Sequence, residues 1–221
     1  YVDFRVKVNG KNERIKTDII GRFSVYNSLA AISVAEKLGC STENIKSALE
    51  NVKVPGRSEL VDNKLDLTIM IDYAHSPESL ENILQAVKSY TRGRVISVFG
   101  CGGDRDKTKR PLMGAISGKI AAYTIITSDN PRTEDPETIV KEIEEGIKKT
   151  SNRYECIVDR TEAIKKAIKM ANKNDIIVLA GKGHETYQEI NHVKHHYDER
   201  EIVAQIIDEM ENDESTKTTK K

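Results

Sequence analysis

Four short polar segments of this sequence contain the residues best suited to bind a charged ligand. They are DYAHSP (72–77), FGCGGDRDKTKRP (99–111), TSDNPRTEDP (127–136) and AGKGHETYQ (180–188). The third segment places one cation, Arg132, among several acids. A guanidinium offers a planar pair of donors that fits a carboxylate, whereas a carboxylate accepts hydrogen bonds from an ammonium group. This mixture predicts either a solvated turn before a helix or a pocket for a ligand that carries both signs of charge.

The two glycine-rich segments do not match the standard nucleotide-binding patterns. In FGCGGDRDK the third glycine position of GxGxxG is occupied by Arg105, so this is not a dinucleotide fingerprint. Taken alone, it favours a glycine turn with solvated charges. No GxxxxGK[ST] occurs in the sequence, so AGKGHE is not a P-loop either.

The histidines allow more than one interpretation. His75 is either a ligand contact or a residue at the start of the helix that Pro77 opens. His192, His195 and His196 lie in HVKHH, within a predicted hairpin and without a recognisable zinc spacing. Surface histidines are the favoured interpretation of that run, and we assign them no role.

Each of the four polar segments follows a predicted buried strand. The apolar runs are LTIMIDYA, RVISVFG, AAYTIITS, ECIVD and DIIVLAG, and they alternate with predicted helices at about 77–90, 110–119, 136–149 and 160–171. Runs buried on both faces and separated by helices predict an α/β fold: a Rossmann-like, mostly parallel sheet with helices on both faces. The carboxyl ends of such strands form the ligand crevice, so the four segments are expected to meet.

The first part of the chain has a different texture. Residues 1–57 predict a hairpin that turns at Asn9-Gly10, a helix over 27–38 and a second helix with Thr42 as its N-cap. Pro55-Gly56 then marks a boundary. We therefore expect the tail of a preceding domain in 1–57, the α/β domain in 58–211, and a disordered tail in 212–221, which has no apolar residues. A chain that opens on Tyr1 is expected to be a piece of a longer polypeptide.

Composition narrows the classes of function. Lys+Arg and Asp+Glu are equal at 35 each and the isoelectric point is about 7.1, so no nucleic-acid partner is indicated. No apolar run approaches the roughly 20 residues that span a bilayer, so no membrane insertion is expected. The three cysteines are far apart and form no CxxC motif, which is typical of reduced thiols in a cytoplasmic protein.

Taken together, the motifs resemble the carboxy-terminal part of the Mur ligase family. The matching pieces are GRFSVYNSLAA, VPGR, DYAHSPESL, FGCGGDRDKTKRPLMG, TSDNPRTEDP and AGKGHETYQ; they occur in the family's order and span about 21–205. The resemblance implies an ATP-dependent amide ligase of peptidoglycan synthesis that adds meso-diaminopimelate to UDP-N-acetylmuramoyl-L-alanyl-D-glutamate through an acyl phosphate. It also implies that 1–57 is a remnant of the ATP-binding central domain. ATP and Mg²⁺ would be bound mainly upstream of this chain, and the protein is expected to be a monomer.

The resemblance further implies roles for individual residues. The residues that match meso-diaminopimelate contacts are Arg105, Asp129, Asn130, Pro131, Arg132, Gly181 and Glu185. Those that match the nucleotide site are Asn27, Arg57, Asp72 (a ribose-binding acid) and His75. No catalytic residue or metal ligand is assigned, because the P-loop and a carbamylated lysine lie upstream in the family. Lys182 and His184 either touch the site or face a helix.

Two other interpretations remain open from the sequence. One is a non-catalytic α/β module that binds a zwitterionic amino acid or a nucleotide. The other is a related ligase that adds a different amine, such as a folylpolyglutamate-type enzyme, or a Mur ligase that uses lanthionine in place of meso-diaminopimelate.

Overall fold

The computed structural model describes residues 1–218, with side chains described up to residue 212. It begins with an antiparallel hairpin of β1 (Val2–Val8) and β2 (Lys11–Thr17), which turns at the predicted Asn9 and Gly10. Both turn residues have positive φ, 48° and 79°, as such a tight hairpin turn requires.

Two helices pack on this hairpin. They are α1 (Arg22–Lys37) and α2 (Thr42–Asn51). The four elements share a small core of Val8, Ile15, Ile32 and Ile45. α1 begins before residue 27, where the prediction placed its start. The prediction of Thr42 as the cap of α2 was wrong, because Ser41 is extended and its hydroxyl accepts the Asn44 amide, while Thr42 is already helical.

The rest of the chain is built on one six-stranded sheet. Its strands are β3 (Glu59–Leu60), β4 (Thr68–Asp72), β5 (Val95–Phe99), β6 (Tyr123–Ile126), β7 (Tyr154–Cys156) and β8 (Ile176–Ala180). The spatial order is β3-β4-β8-β5-β6-β7, and every pairing is parallel except β3 with β4. This confirms the mostly parallel α/β sheet.

Five helices cover the two faces of the sheet. They are α3 (Pro77–Tyr90), α4 (Lys109–Ile120), α5 (Pro136–Ile147), α6 (Arg160–Met170) and α7 (Glu199–Thr218). Strand side chains alternate between the faces, so Met70 packs with α3, α4 and α5, while Ile69 and Ile71 pack with α6 and α7. A second hairpin, β9 (Tyr187–Ile190) with β10 (Val193–His196), precedes α7 as predicted.

The last helix extends further than the sequence indicated. We expected disorder from residue 212, but α7 continues to Thr218, and 219–221 lie outside the described residues. The low apolar content of 212–221 suggested disorder; however, residues 212–218 extend a helix that is anchored earlier, where Val203, Ile206 and Ile207 are buried. Among the described residues, no helix has the length and apolar character needed to cross a bilayer.

The strand order determines where the polar segments lie. β4, β8, β5 and β6 are consecutive neighbours in the sheet and run parallel. The residues that follow them therefore emerge at one edge, which brings the four motifs of the sequence together.

Candidate functional site

The loops after β5 and β6 are held together by hydrogen bonds and by close packing of their backbones. The Gly103 amide donates to the carbonyl of Asn130 at 2.9 Å. A Cβ on Gly103 would lie 1.9 Å from the Pro131 carbonyl oxygen, so no side chain fits there. The Asp104 carboxylate accepts the Thr133 amide at 3.2 Å and its hydroxyl at 2.7 Å. The two loops therefore form one rigid wall.

A buried arginine that the sequence did not single out stabilises this wall. Arg110 is fully buried on α4 and its guanidinium contacts Glu134 at 2.9 Å and Glu142 at 2.5 Å. It also donates to the Gly102 carbonyl at 3.3 Å. Its hydrogen bonds to Glu134 lower the pKa of that carboxyl to about 2. Arg110 thus connects the loop after β5, which contains Gly102, to the loop after β6, which contains Arg132.

Arg132 and Arg105 both lie close to Gly102. Arg132 donates from Nη1 to the Gly103 carbonyl at 2.8 Å, and its Nε lies 3.2 Å from Glu189 Oε2. A Cβ on Gly102 would be 2.8 Å from Arg132 Nη1 and 3.8 Å from Arg105 Cγ. Arg105 is exposed, and among the described residues its guanidinium bonds only to the neighbouring Asp104 carbonyl. The Arg132 guanidinium and the Arg105 side chain therefore come together at this glycine, where an added Cβ would displace Arg132 Nη1.

Arg132 also lines a cleft of about 700 Å³. The cleft lies between the first residues of α5 and α6 and the β9–β10 hairpin, with Gln188 and Tyr197 among its lining residues. The α5 end carries the predicted N-cap, Asp135, which accepts the amides of Glu137 and Thr138. Asp135 and Pro136 are therefore explained by the start of a helix, whereas Arg132 is not.

Asp129 supplies an acid that has no donor of its own. Its residue is 6% exposed, and among the side chains described no group donates a hydrogen bond to its carboxylate. The carboxylate faces Gly181, because a Cβ there would lie 2.4 Å from Oδ2. Gly181 has φ of 119° and its amide donates to the Asp72 carbonyl. The glycine thus leaves space in front of a buried acceptor.

Asn130 and Glu185 lie beside this acid and bond directly to one another. Asn130 Nδ2 donates to Glu185 Oε2 at 2.8 Å. Lys182, which the sequence left undecided, is fully buried and donates to Asn130 Oδ1 at 3.1 Å. The side chain of Lys182 therefore faces the site and not a helix.

A second buried arginine fixes the strand ends beneath the site. Arg160 donates to the carbonyl of Ser128, just after β6, at 3.1 Å and to that of Ala180, the last residue of β8, at 3.0 Å. Its charge is balanced by Glu199 of α7 at 2.8 Å. The sequence does not show that Arg160 and Glu199 form a pair, because they are 39 positions apart.

The residues predicted for a nucleotide form a second group around Tyr73. The Arg57 guanidinium lies 4.7 Å from the Tyr73 ring centroid, and the rings of His75 and His184 lie 4.6 Å and 5.0 Å from it. A Cβ on Gly56 would lie 2.1 Å from the His184 amide nitrogen, so the VPGR turn packs directly on the AGKGHE loop. The sequence analysis did not single out Tyr73.

The other two residues predicted to bind a nucleotide, Asp72 and Asn27, have different surroundings. Asp72 is buried, and its oxygens accept the amides of Ser58 at 2.8 Å and Ala74 at 2.9 Å. Burial raises the pKa of Asp72, against these hydrogen bonds. Asn27 is exposed on α1, and among the described residues no hydrogen bond joins its side chain to the other predicted site residues. Across the part of the chain that the structure describes, no cluster of three His, Cys, Asp or Glu side chains is arranged to hold a metal ion.

Comparison with known proteins finds a family model and relatives that match this chain. Residues 56–183 match the family model described as Mur ligase, glutamate ligase domain. A UDP-N-acetylmuramoyl-L-alanyl-D-glutamate--2,6-diaminopimelate ligase from Caldanaerobacter subterraneus subsp. tengcongensis is 53% identical over 210 residues, which are 95% of this chain and 44% of that protein. The protein of the same name from Clostridioides difficile is 47% identical, over 95% of this chain and 43% of its own length.

Solved structures give the same result. The structure of a ligase of that name has a TM-score of 0.68 and 38% identity, over 95% of this chain and 43% of the other. A pseudomurein peptide ligase type C from Methanothermus fervidus has a TM-score of 0.68 and 25% identity, over 92% of this chain and 40% of the other. The chain thus spans less than half the length of these relatives. Since the family model covers more than half of the sequence, the chain belongs to the Mur ligase family.

Proposed function

We propose that the whole protein ligates meso-diaminopimelate to UDP-N-acetylmuramoyl-L-alanyl-D-glutamate with ATP, and that this chain supplies the domain that binds the amino acid. The two curated relatives named above, and the first of the solved structures, carry 2,6-diaminopimelate and UDP-N-acetylmuramoyl-L-alanyl-D-glutamate in their names. The observation that carries the proposal is the set of charges at one sheet edge: Arg132 and Arg105 lie close to Gly102, Asp129 faces Gly181, and Glu185 bonds to Asn130.

These charges fit a diamino diacid. Asp129 and Glu185 accept the ammonium group at the stereocentre far from the reaction, and Arg132, with Arg105, takes the carboxylate beside it. A fork of guanidinium donors matches a carboxylate in geometry as well as in charge. L-Lysine has an ammonium at this position but no carboxylate, so Arg132 attracts the diacid and repels the monoacid.

Within this proposal the binding site orients the amine that reacts. ATP phosphorylates the D-glutamyl carboxylate, and the free amine of the bound amino acid attacks the acyl phosphate, releasing phosphate. Holding the amine at a fixed place makes the step effectively intramolecular. Arg57, Asp72 and His75 lie at the same sheet edge, so we assign the nucleotide to the Tyr73 side and the amino acid to the Arg132 side. Asn27 is included only through the family resemblance.

The remaining parts of the reaction are assigned to the region that precedes this chain in the longer relatives. Mg²⁺ would neutralise phosphate charge in the reaction. The described residues do not fit a magnesium site, so its ligands and the P-loop are placed upstream. We also infer a cytoplasmic, monomeric enzyme, since its proposed substrates are a nucleotide-linked peptide and ATP.

The test uses the full-length protein. Phosphate release is measured with ATP, the UDP-linked dipeptide and one of three amines: meso-diaminopimelate, meso-lanthionine or L-lysine. We expect turnover with meso-diaminopimelate and at least a hundredfold lower kcat/KM with L-lysine. Equal kcat/KM for the two would contradict the proposed role of the arginines, and the lanthionine value ranks the two diacids.

A related prediction concerns the chain by itself. Residues 1–221 are expected to show no ligase turnover, because the P-loop is absent from this sequence. The control is the full-length enzyme at the same concentration. Product formed by the isolated chain above the no-enzyme background would contradict the proposal that the ATP-binding part of the enzyme lies outside residues 1–221.

A further inference from the structure

We propose that Lys182 is a positioning residue, which fixes the amide orientation of Asn130 and aims one oxygen of Glu185 at the ligand ammonium. This inference rests on the proposed function, since it concerns the same amino-acid site. Lys182 is fully buried, although it carries the side chain that proteins most consistently leave exposed. Nothing in the ligation scheme above uses it.

The first step of the argument is the orientation of Asn130. Two donors converge on its Oδ1: Lys182 Nζ at 3.1 Å and the Glu189 amide at 2.9 Å. Neither donor can accept a hydrogen bond, since an ammonium and a backbone amide only donate. The amide oxygen must therefore face them, and Nδ2 must face Glu185, where it donates at 2.8 Å. Without Lys182, the Glu189 amide would remain as one donor to Asn130 Oδ1 in place of two.

The second step concerns Glu185. Its Oε2 receives Asn130 Nδ2 at 2.8 Å and lies 3.5 Å from Lys182 Nζ. Among the described residues no donor is bonded to its Oε1. One oxygen is thus held by the protein while the other can accept from a ligand. Loss of Lys182 would leave the Asn130 amide oriented by the Glu189 amide without its second donor, and would remove the ammonium from the held oxygen of Glu185.

The third step is the charge balance around the lysine. Asp129 and Glu185 attract Lys182, whereas the buried guanidinium of Arg160 repels it. Burial is the main cause that lowers the pKa of Lys182. The centroids of the Tyr187 and Tyr197 rings each lie 5.8 Å from Lys182 Nζ. Burial of an ammonium is costly, so a position that merely filled space would be better occupied by an apolar side chain.

The experiment compares Lys182→Met with Lys194→Met in the full-length enzyme. Lys194 is a matched control, because its Nζ lies 4.0 Å from the centroid of the same Tyr187 ring but the residue is exposed on β10. We expect Lys182→Met to raise the KM for meso-diaminopimelate at least tenfold and to leave the KM for ATP within twofold. Lys194→Met should leave both within twofold. Lys182→Gln, which keeps a donor for Asn130, should give an intermediate KM.

Two further measurements keep the inference open to refutation. In a Glu185→Gln background, the effect of Lys182→Met on KM should shrink at least threefold, because both changes act through the same contact. Hydrogen–deuterium exchange without substrate should rise in 127–134 and 181–190 for Lys182→Met and not for Lys194→Met. Hydrogen–deuterium exchange needs no ligand, so it can be measured on a variant that is too unstable for kinetics. If Lys182→Met does not fold, Lys182→Gln is measured in its place.

The outcomes separate the two proposals. A wild-type enzyme that does not use meso-diaminopimelate refutes the proposed function, while unchanged exchange in both loops refutes the positioning role of Lys182 irrespective of substrate. A Lys182→Met enzyme with an amino-acid KM within threefold of wild type refutes the role of Lys182 alone. A parallel rise in the KM for ATP would assign Lys182 to general stability and would also overturn the inference.

Discussion

Replacement of Arg132 by alanine should weaken binding of the amino acid without unfolding the domain. The Arg132 side chain is 17% exposed and makes two contacts, with the Gly103 carbonyl and with Glu189. Its backbone has φ of 52°, but alanine has the same Cβ constraint as arginine there, so the substitution adds no new backbone strain. Glu189, once unpaired, is itself 19% exposed and can be hydrated.

The size of the effect follows from the interaction that is lost. A hydrogen bond to a charged group contributes about 1.5–3 kcal/mol, which corresponds to roughly a ten- to hundredfold change in affinity. Fully buried charge pairs cost more to break, about 2–5 kcal/mol. Because Arg132 retains contact with solvent, we expect the smaller range. The KM for meso-diaminopimelate should therefore rise about ten- to hundredfold.

The assay is steady-state phosphate release by the full-length enzyme, with Arg153→Ala as the control. Arg153 is an exposed arginine close to β7, at the far edge of the sheet, so its loss should leave the KM within twofold. The ratio of kcat/KM for meso-diaminopimelate to that for L-lysine should also fall for Arg132→Ala. A KM within threefold of wild type, with selectivity unchanged, would refute the assignment of Arg132.

Two other predictions concern the loops that frame the site. Gly181→Ala should raise the KM for meso-diaminopimelate and lower the thermal midpoint, because the added Cβ would lie 2.4 Å from Asp129 Oδ2. Gly39→Ala is the control, since Gly39 has φ of 77° and no atom within 4 Å of an added Cβ, and it should change only the midpoint. Equal effects of the two substitutions on KM would contradict the clash with Asp129. Glu134 has its pKa lowered to about 2 by its hydrogen bonds to Arg110, so its stabilising contribution is complete above the unfolded value of about 4.3 and is lost as the pH falls towards 2. Thermal midpoints measured over that range should fall less steeply for Glu134→Gln than for wild type, and parallel slopes would contradict this contribution.

The position of the site could be predicted from the sequence because it depends on strand order and strand ends. Apolar runs such as TIMID and IIVLA are buried on both faces, and parallel strands bring their following loops to one edge. Asp129 and Arg132 were therefore expected near Glu185. The identity of the ligand was not predictable from these residues alone and depended on the family resemblance.

The contacts that hold the site together were not predictable. Arg160 and Glu199 are indistinguishable in sequence from solvated charges, since a helix surface normally contains both signs. Only the tertiary fold shows that α6 and α7 bury them under the strand ends. Lys182 remained ambiguous for the same reason. Asp72 was expected to bind ribose, yet two backbone amides already use its oxygens, so any ribose contact must share them.

The pairing of each arginine separates those that hold the fold from those available to a ligand. Arg110 is fully buried and meets two carboxylates, while Arg105 is exposed and, within the part of the chain that the structure describes, bonds only to a neighbouring carbonyl. Removing one partner from a buried charge network typically costs about 3–5 kcal/mol of stability. Arg110→Met should therefore lower the thermal midpoint by several degrees as well as raise the amino-acid KM, because Glu134 and the Gly102 carbonyl lose their donor. Arg105→Met should raise the KM and leave the midpoint within about one degree, since a surface contact contributes little. If differential scanning fluorimetry gave equal midpoints for the two variants, burial and pairing would not be what separates the structural arginines from the binding ones.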